Sequence, residues 1–149
     1  MHLLAAQPGG TLDSGDAVDL GQSPGDIIFA SAADTELACM SRAHRFLGHK
    51  APSLRLANLM NLSHNLSIDN WLETTVSGAS LVIIRLLGGE SYWPYGTERI
   101  TQLCQEKKIA LVLLPGDDKA DSELARRCTL AAEICDRLWQ YCVQGGIEN

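Results

Sequence analysis

The sequence predicts a doubly wound α/β domain, in which a mostly parallel sheet carries helices on both faces and an edge strand or hairpin precedes it at the N-terminus. Three observations support this class. Apolar runs alternate four times with segments that have apolar residues at helical spacing. The runs are predominantly apolar and do not alternate with polar residues, as is typical of strands buried on both faces. The connections are short, and right-handed crossovers between parallel strands then place helices on both faces.

Residues 1–25 are predicted to form an N-terminal edge strand and loop that belong to the same domain as residues 26–149. Met1 to Ala6 is a short apolar run that ends at a Pro-Gly-Gly turn. Ala17 to Leu20 alternates weakly between apolar and polar residues, which indicates a second short strand. Since the chain has 149 residues, one domain is expected.

The rest of the chain alternates strand and helix. The predicted buried strands are four stretches rich in apolar residues, of which the first is a continuous apolar run: Ile27 to Ala30, Leu54 to Leu59, Leu81 to Leu87 and Ile109 to Leu114. The predicted helices have apolar residues three and four apart: Leu37 to Leu47, Ile68 to Val76, Gly96 to Lys108 and, as one or two helices, Ser122 to Val143. Ser31 and Asp34 form a variant of the capping box before the first helix, and Ser67 or Asp69 is predicted to cap the second. Such a domain is flavodoxin-like.

The charge of the chain limits its partners. A net charge of -6 argues against a nucleic-acid partner and against an anionic membrane surface. The apolar runs are far shorter than the ~20 residues that a membrane-spanning helix needs. The N-terminus has no basic segment followed by a long apolar one, as an export signal would have. A cytoplasmic protein without nucleic-acid or membrane partners is therefore expected.

Ligands of doubly wound domains bind at the carboxyl ends of the strands, near the point where the strand order reverses. Four loops are expected at this edge: Ser31 to Glu36, Met60 to Asp69, Gly88 to Gly96 and Pro115 to Asp121. The third loop has two adjacent glycines and three aromatic residues within four positions, namely Tyr92, Trp93 and Tyr95. These rings would stack on a flat ligand, fill a protein interface, or pack under the loop as a local core.

Two further residues are candidate binding or interface residues. Arg85 lies inside an apolar strand, where a guanidinium is costly unless it is paired. It either pairs with a carboxylate, for which Asp34 and Glu98 are candidates, or faces a cleft and clamps a substrate carboxylate. His64 precedes the second helix and would be a metal ligand, a proton shuttle, or, as is common for a single loop histidine, neither.

The five cysteines are an odd number, and without an export signal they argue against a disulfide framework. Several of them would share one apolar stripe if the C-terminal segment is helical: Leu124, Cys128, Ala131, Cys135, Leu138 and Cys142. Helical residues seven apart are about 10.5 Å apart along the axis, too far for two thiolates to share a zinc ion at ~2.3 Å from each. The cysteines, including Cys39 and Cys104, are therefore predicted to be reduced core residues.

Several ligand-binding motifs do not occur in the sequence. No G-x-G-x-x-G follows a strand and no G-x-x-x-x-G-K-S/T is present, so neither a dinucleotide site nor a P-loop is expected. The third strand ends in Leu87-Gly88, where a response regulator would need an aspartate. Asp117 and Asp118 could bind magnesium or act in acid–base chemistry, but in Pro-Gly-Asp-Asp they are typical turn formers. No catalytic or metal-ligating residue is assigned.

Longer strings resemble the beginning of the large subunit of aerobic cobaltochelatases, the CobN family. They occur in order over essentially the whole chain: Val18 to Ile27, Ser31 to Leu37, Ser53 to Leu59, Arg85 to Gly89 with Tyr92 to Gly96, and Leu113 to Asp118. Each string alone is unspecific, but the combination is specific.

The resemblance implies an ATP-dependent ligase that inserts cobalt into hydrogenobyrinic acid a,c-diamide in aerobic cobalamin biosynthesis. The large subunit, related to the porphyrin-binding subunit of magnesium chelatase, would bind the corrinoid and cobalt, and two smaller AAA+ subunits would carry Mg-ATP. This chain would then be a fragment of a much longer subunit, a head domain that binds no cofactor and is inactive alone. The alternative is a free-standing flavodoxin-like small-ligand or signalling module, which the missing phosphate-loop and phospho-acceptor motifs disfavour.

Overall fold

A computed structural model describes residues 17–149 of the chain. Its sheet has four parallel strands: β1 (Ile27–Ser31), β2 (Leu54–Asn58), β3 (Leu81–Leu86) and β4 (Ala110–Pro115). Their order across the sheet is β2-β1-β3-β4. The chain therefore places β2 on one side of β1, and then β3 and β4 on the other side. The predicted doubly wound α/β fold is confirmed, and the strand order reverses between β1 and β3.

Five α-helices lie in the part of the chain that the structure describes: α1 (Asp34–Leu47), α2 (Asn65–Trp71), α3 (Pro94–Lys107), α4 (Ser122–Arg127) and α5 (Ala132–Gln144). A π-helical turn at Leu72–Val76 extends α2. Helix α3 begins two residues before the predicted position, because the fixed φ of Pro94 suits the first turn of a helix. Among the described residues, no helix is long and apolar enough to cross a membrane.

Alternate residues of the strands pack on opposite faces of the sheet. On one face, Ile28 and Ile84 join α2, α3 and α4 in the larger core cluster. On the other face, Phe29 and Ile83 pack with residues of α1 and α5. The two-residue period of a strand therefore accounts for the continuous apolar runs in the sequence, since both faces are covered by helices.

Polypeptide beside each edge strand bonds to its backbone. At β2, the Gln22 side chain donates from Nε2 to the carbonyl oxygen of Leu56 at 2.6 Å. At β4, the N–H of Thr129 donates to the carbonyl oxygen of Leu111 at 2.9 Å, and the N–H of Leu111 donates to Thr129 Oγ1 at 2.8 Å. These bonds satisfy some of the backbone groups that an edge strand would otherwise offer to another chain.

The predicted strand at Ala17 to Leu20 is wrong, because these residues pair with no strand. The N–H of Val18 instead donates to Ser67 Oγ at 2.7 Å, which holds the segment against α2. Gly21 then adopts a φ of 62°, a left-handed conformation that turns the chain out of an extended path. The predicted strand at Met1 to Ala6 lies outside the described residues.

The predicted capping box at Ser31 and Asp34 is also wrong. Ser31 still belongs to β1, so α1 begins later and has Ala33 at its N-cap without a side-chain hydrogen bond. The hydroxyl of Ser31 accepts a hydrogen bond from the N–H of Ala33 at 3.1 Å and donates to Glu36 Oε1 at 2.9 Å. The end of α1 at Gly48 agrees with the prediction.

Helix α2 begins before the residues predicted to cap it. Its N-cap is His64, whose Nδ1 accepts a hydrogen bond from the N–H of Leu66 at 3.1 Å. Ser67 and Asp69 therefore lie inside the helix, so neither is its cap. A histidine nitrogen does here what the side-chain oxygen of Asn or Asp does at most N-caps.

The C-terminal segment forms two helices, because the backbone is extended at Cys128 and Ala131. The prediction of one continuous apolar stripe is therefore wrong. Leu124 packs in the larger core cluster, Cys135 packs on the opposite face of the sheet, and Ala131 is exposed. The break allows Thr129 to run alongside β4.

Candidate functional site

The carboxyl edge of the sheet is the candidate site, because doubly wound domains bind ligands there. Side chains from three elements meet where the strand order reverses. Ser31 ends β1, Glu36 lies in the first turn of α1, and Arg85 lies near the end of β3. They form one hydrogen-bonded network.

Arg85 is buried, with 5% of its surface exposed. Its Nε and Nη2 donate to the carbonyl oxygen of Pro115 at 3.0 and 2.8 Å, and its Nη1 donates to the carboxylate of Glu36. A structural ion pair, one of the two predictions for Arg85, is therefore present. The predicted partners Asp34 and Glu98 are wrong, because Arg85 is on the α1 face of the sheet, Asp34 is exposed, and Glu98 belongs to α3 on the opposite face.

Glu36 is the residue at this edge that the sequence prediction missed. Its side chain is 21% exposed, and its carboxylate is bonded to both Ser31 and Arg85. One feature of the sequence could have indicated this pair: Glu36 lies in the first turn of the helix that follows β1, and β1 is the strand next to β3, which carries Arg85. Such pairing compensates the guanidinium for the hydration that it loses on burial.

Trp93 is part of the core beneath the aromatic loop. Its indole is 4% exposed, and Nε1 donates to the carbonyl oxygen of Leu62 at 2.8 Å. It packs edge-to-face on Trp71, with 6.4 Å between ring centroids and 67° between ring planes. For this residue the structure supports the packing interpretation, and a buried ring cannot stack on a ligand at the surface.

The two tyrosines of the loop are half-buried. Tyr92 packs against the core, and the Tyr95 hydroxyl lies 2.9 Å from both carboxylate oxygens of Asp69. The Arg99 Nε donates to the same carboxylate at 3.3 Å. Donation to Asp69 raises the pKa of Tyr95, because the bond favours the protonated phenol. Their binding role stays a prediction.

His64 and Asp117 have local structural bonds. Because Nδ1 of His64 accepts a backbone hydrogen bond, the ring proton of the neutral side chain is on Nε2, which lies on an exposed residue. Asp117 Oδ1 accepts from the N–H of Lys119 at 3.1 Å, an arrangement that agrees with the predicted turn. Within residues 17–149, no group of three or more His, Cys, Asp or Glu side chains is arranged to hold a metal ion.

The loop after β1 does not fit a nucleotide phosphate. It leads into the N-terminus of α1, and a helix N-terminus attracts anions. Here the first turn already carries the carboxylates of Asp34 and Glu36, which would repel a phosphate. These residues therefore disfavour a flavodoxin-type phosphate site at this loop.

All five cysteines are free thiols. Burial raises the pKa of Cys104 to about 12. Burial, together with the neighbouring Cys128, raises the pKa of Cys135 to about 11. A thiol must lose its proton to become a strong nucleophile or metal ligand, so these two cysteines are unreactive core residues.

Two curated relatives match the whole chain. The aerobic cobaltochelatase subunit CobN of Sinorhizobium sp. is 44% identical over 151 residues, and the protein of the same name from Pseudomonas aeruginosa is 40% identical over 149 residues. The chain spans 12% of the length of each. No protein-family model and no solved structure matches it. Because both matches extend over the full chain, it corresponds to the N-terminal region of the aerobic cobaltochelatase subunit CobN.

Proposed function

We propose that this region is the head domain of a large subunit that inserts cobalt into hydrogenobyrinic acid a,c-diamide during aerobic cobalamin biosynthesis. The observation that carries the proposal is the 44% identity, over the whole chain, to an aerobic cobaltochelatase subunit. The matched region is 12% of the length of that relative. In this proposal, the binding sites for cobalt and the corrinoid lie in the rest of the subunit.

In this proposal the domain itself is non-catalytic. Two smaller AAA+ subunits bind and hydrolyse Mg-ATP, and the complex works in the cytoplasm. The bonds of the polar residues at the carboxyl edge support a structural role: Arg85 holds Glu36, Tyr95 holds Asp69, and His64 caps α2. None of these bonds prepares a side chain for proton transfer or metal ligation.

The carboxyl edge would then act as a contact surface for the corrinoid or for another part of the complex. His64 is exposed there, and the rings of Tyr92 and Tyr95 are half-buried. Arg85 and Trp93 would support this surface from below. Leu87, with 59% of its surface exposed at the end of β3, would add an apolar contact.

The test is reconstitution of cobalt insertion with the corrinoid, cobalt, ATP and the two AAA+ subunits. We expect the full-length subunit to insert cobalt and residues 1–149 alone to insert none, with or without the partner subunits. Insertion by residues 1–149 alone would contradict the non-catalytic role. A full-length subunit that inserts no cobalt into this corrinoid would contradict the proposed reaction.

A further inference from the structure

The two helix layers cover the sheet unequally. Helix α3 has 14 residues and buries several of them, among them Ile100 and Cys104. Helix α1 is equally long but has no fully buried residue, and α5 buries Cys135 alone. The face under α1 and α5 is therefore the less protected side of the sheet.

A groove of about 450 Å³ lies between α1 and α5. Its floor is formed by Phe29 of β1 and Ile83 of β3, and its walls include Met40 of α1 and Leu138 and Tyr141 of α5. Since the groove flanks the first turns of α1 and the last turns of α5, it lies toward the carboxyl edge of the sheet. Its surface is predominantly apolar.

The lining does not suit a small polar ligand. Pockets for small molecules add a few convergent polar groups that orient the ligand. Glu36 lines this groove, but its carboxylate is already bonded to Arg85 and Ser31. The other polar side chains of the lining, Thr35, Tyr141 and Asn149, belong to exposed residues, so they do not form a buried polar set. An exposed apolar groove without convergent polar groups is typical of a protein contact.

The groove is next to the place where further polypeptide begins in the relatives. Gly145, Gly146 and Asn149 line its rim. The matched region is the N-terminal region of the relatives and covers 12% of their length, so most of each subunit follows it. A segment tethered this close to a groove has a high effective concentration there.

We propose that the groove between α1 and α5 is the docking surface for polypeptide that follows residue 149 in the full-length subunit. This inference rests on the proposed function, because it requires the region to be part of that subunit. Apolar side chains of the following polypeptide pack over Phe29 and Ile83 and complete the α1/α5 layer. The contact fixes the orientation of the domain relative to the rest of the subunit.

Photo-crosslinking of the full-length subunit tests this proposal. The photoreactive residue p-benzoylphenylalanine replaces Tyr141, a 42% exposed ring in the groove wall, so the substitution exchanges one aromatic residue for another. The matched probe replaces Glu106, an exposed residue of α3 on the opposite face. We expect the probe at Tyr141 to crosslink to peptides beyond residue 149 of the same chain, and the probe at Glu106 to leave those peptides unlabelled.

A second pair of variants tests whether the groove itself is responsible. Thr35→Arg places a charge at the exposed rim of the groove and is expected to abolish the Tyr141 crosslinks. Ala38→Arg, at an exposed position of α1 outside the groove, is expected to leave them unchanged. Crosslinks confined to residues 1–149, or to a second copy, would overturn the proposal. Since the readout needs no cobalt insertion, failure of the docking and failure of the proposed function are distinguishable.

Discussion

At the scale of single residues, Trp93 shows how a surface candidate in the sequence becomes an anchor of the core. The backbone leaves space for its ring where α3 begins. A Cβ built on Gly96 would lie 2.0 Å from the Trp93 ring, far inside van der Waals contact. Gly96 is therefore the residue that allows the indole to lie against its own helix and to reach Trp71 and Leu62.

Trp93→Ala is expected to lower the free energy of unfolding by about 3–5 kcal/mol, because it removes a buried ring and leaves a cavity. The control is Phe46→Ala, which removes a ring that is 78% exposed and should change the free energy by less than about 0.5 kcal/mol. Urea unfolding of residues 1–149 measures both. An unchanged midpoint for Trp93→Ala, with weaker binding of corrinoid or partner subunits to the full-length protein, would favour a recognition surface instead.

The sequence predicted what Arg85 needs but not which residue provides it. An arginine in an apolar strand indicates burial and pairing, since an unpaired buried guanidinium is too costly. The choice of Glu36 depends on which face of the sheet the side chain occupies and on where α1 begins. Likewise, no sequence pattern distinguished a ligating His64 from one that caps a helix, since either uses a ring nitrogen.

At the scale of elements, each boundary of the four sheet strands lies within one residue of its prediction, and β1, β2 and β3 begin at the predicted residue. Glycine or proline directly follows the third and fourth apolar runs, at Gly88 and Pro115, and apolar residues are required on both faces of the sheet because helices cover both. The break between α4 and α5 could not be predicted in this way. The seven-residue spacing of apolar residues continues through Cys128 and Ala131, and the long-range pairing of Thr129 with Leu111 accompanies the extended backbone there.

Thr129→Val tests the importance of that pairing at the edge of β4. Valine keeps the shape of threonine but cannot accept the hydrogen bond from the N–H of Leu111, a buried residue. The loss is expected to cost about 1–3 kcal/mol, the penalty for an unsatisfied buried donor.

The control is Thr35→Val, at an exposed position of α1. The urea midpoint should fall for Thr129→Val with an unchanged dependence of the free energy on urea concentration, and it should stay constant for Thr35→Val. Equal midpoints for the two variants would mean that the hydrogen bond from the N–H of Thr129 to the carbonyl oxygen of Leu111 is enough to hold the segment between α4 and α5 beside β4.

At the scale of the whole molecule, the domain has one well-covered face and one that is partly open. Cys104 is 1% exposed in the core under α2 and α3. Cys39 and Cys142 line the groove on the opposite face and are half-buried. The thiols therefore report separately on the two faces of one sheet.

Labelling of native residues 1–149 with a bulky thiol reagent is expected to follow this order. Cys39 should react first, and Cys142 more slowly, because burial raises its pKa. Cys128 and Cys135 should stay largely unmodified over the same period. Cys104 should react only when the whole domain unfolds. Its labelling rate, measured by peptide mass spectrometry at urea concentrations below the midpoint, should therefore rise with urea as steeply as the equilibrium constant for unfolding does. Labelling of Cys104 as fast as that of Cys39 would show that the α2/α3 face opens locally, and that the two faces are equally accessible.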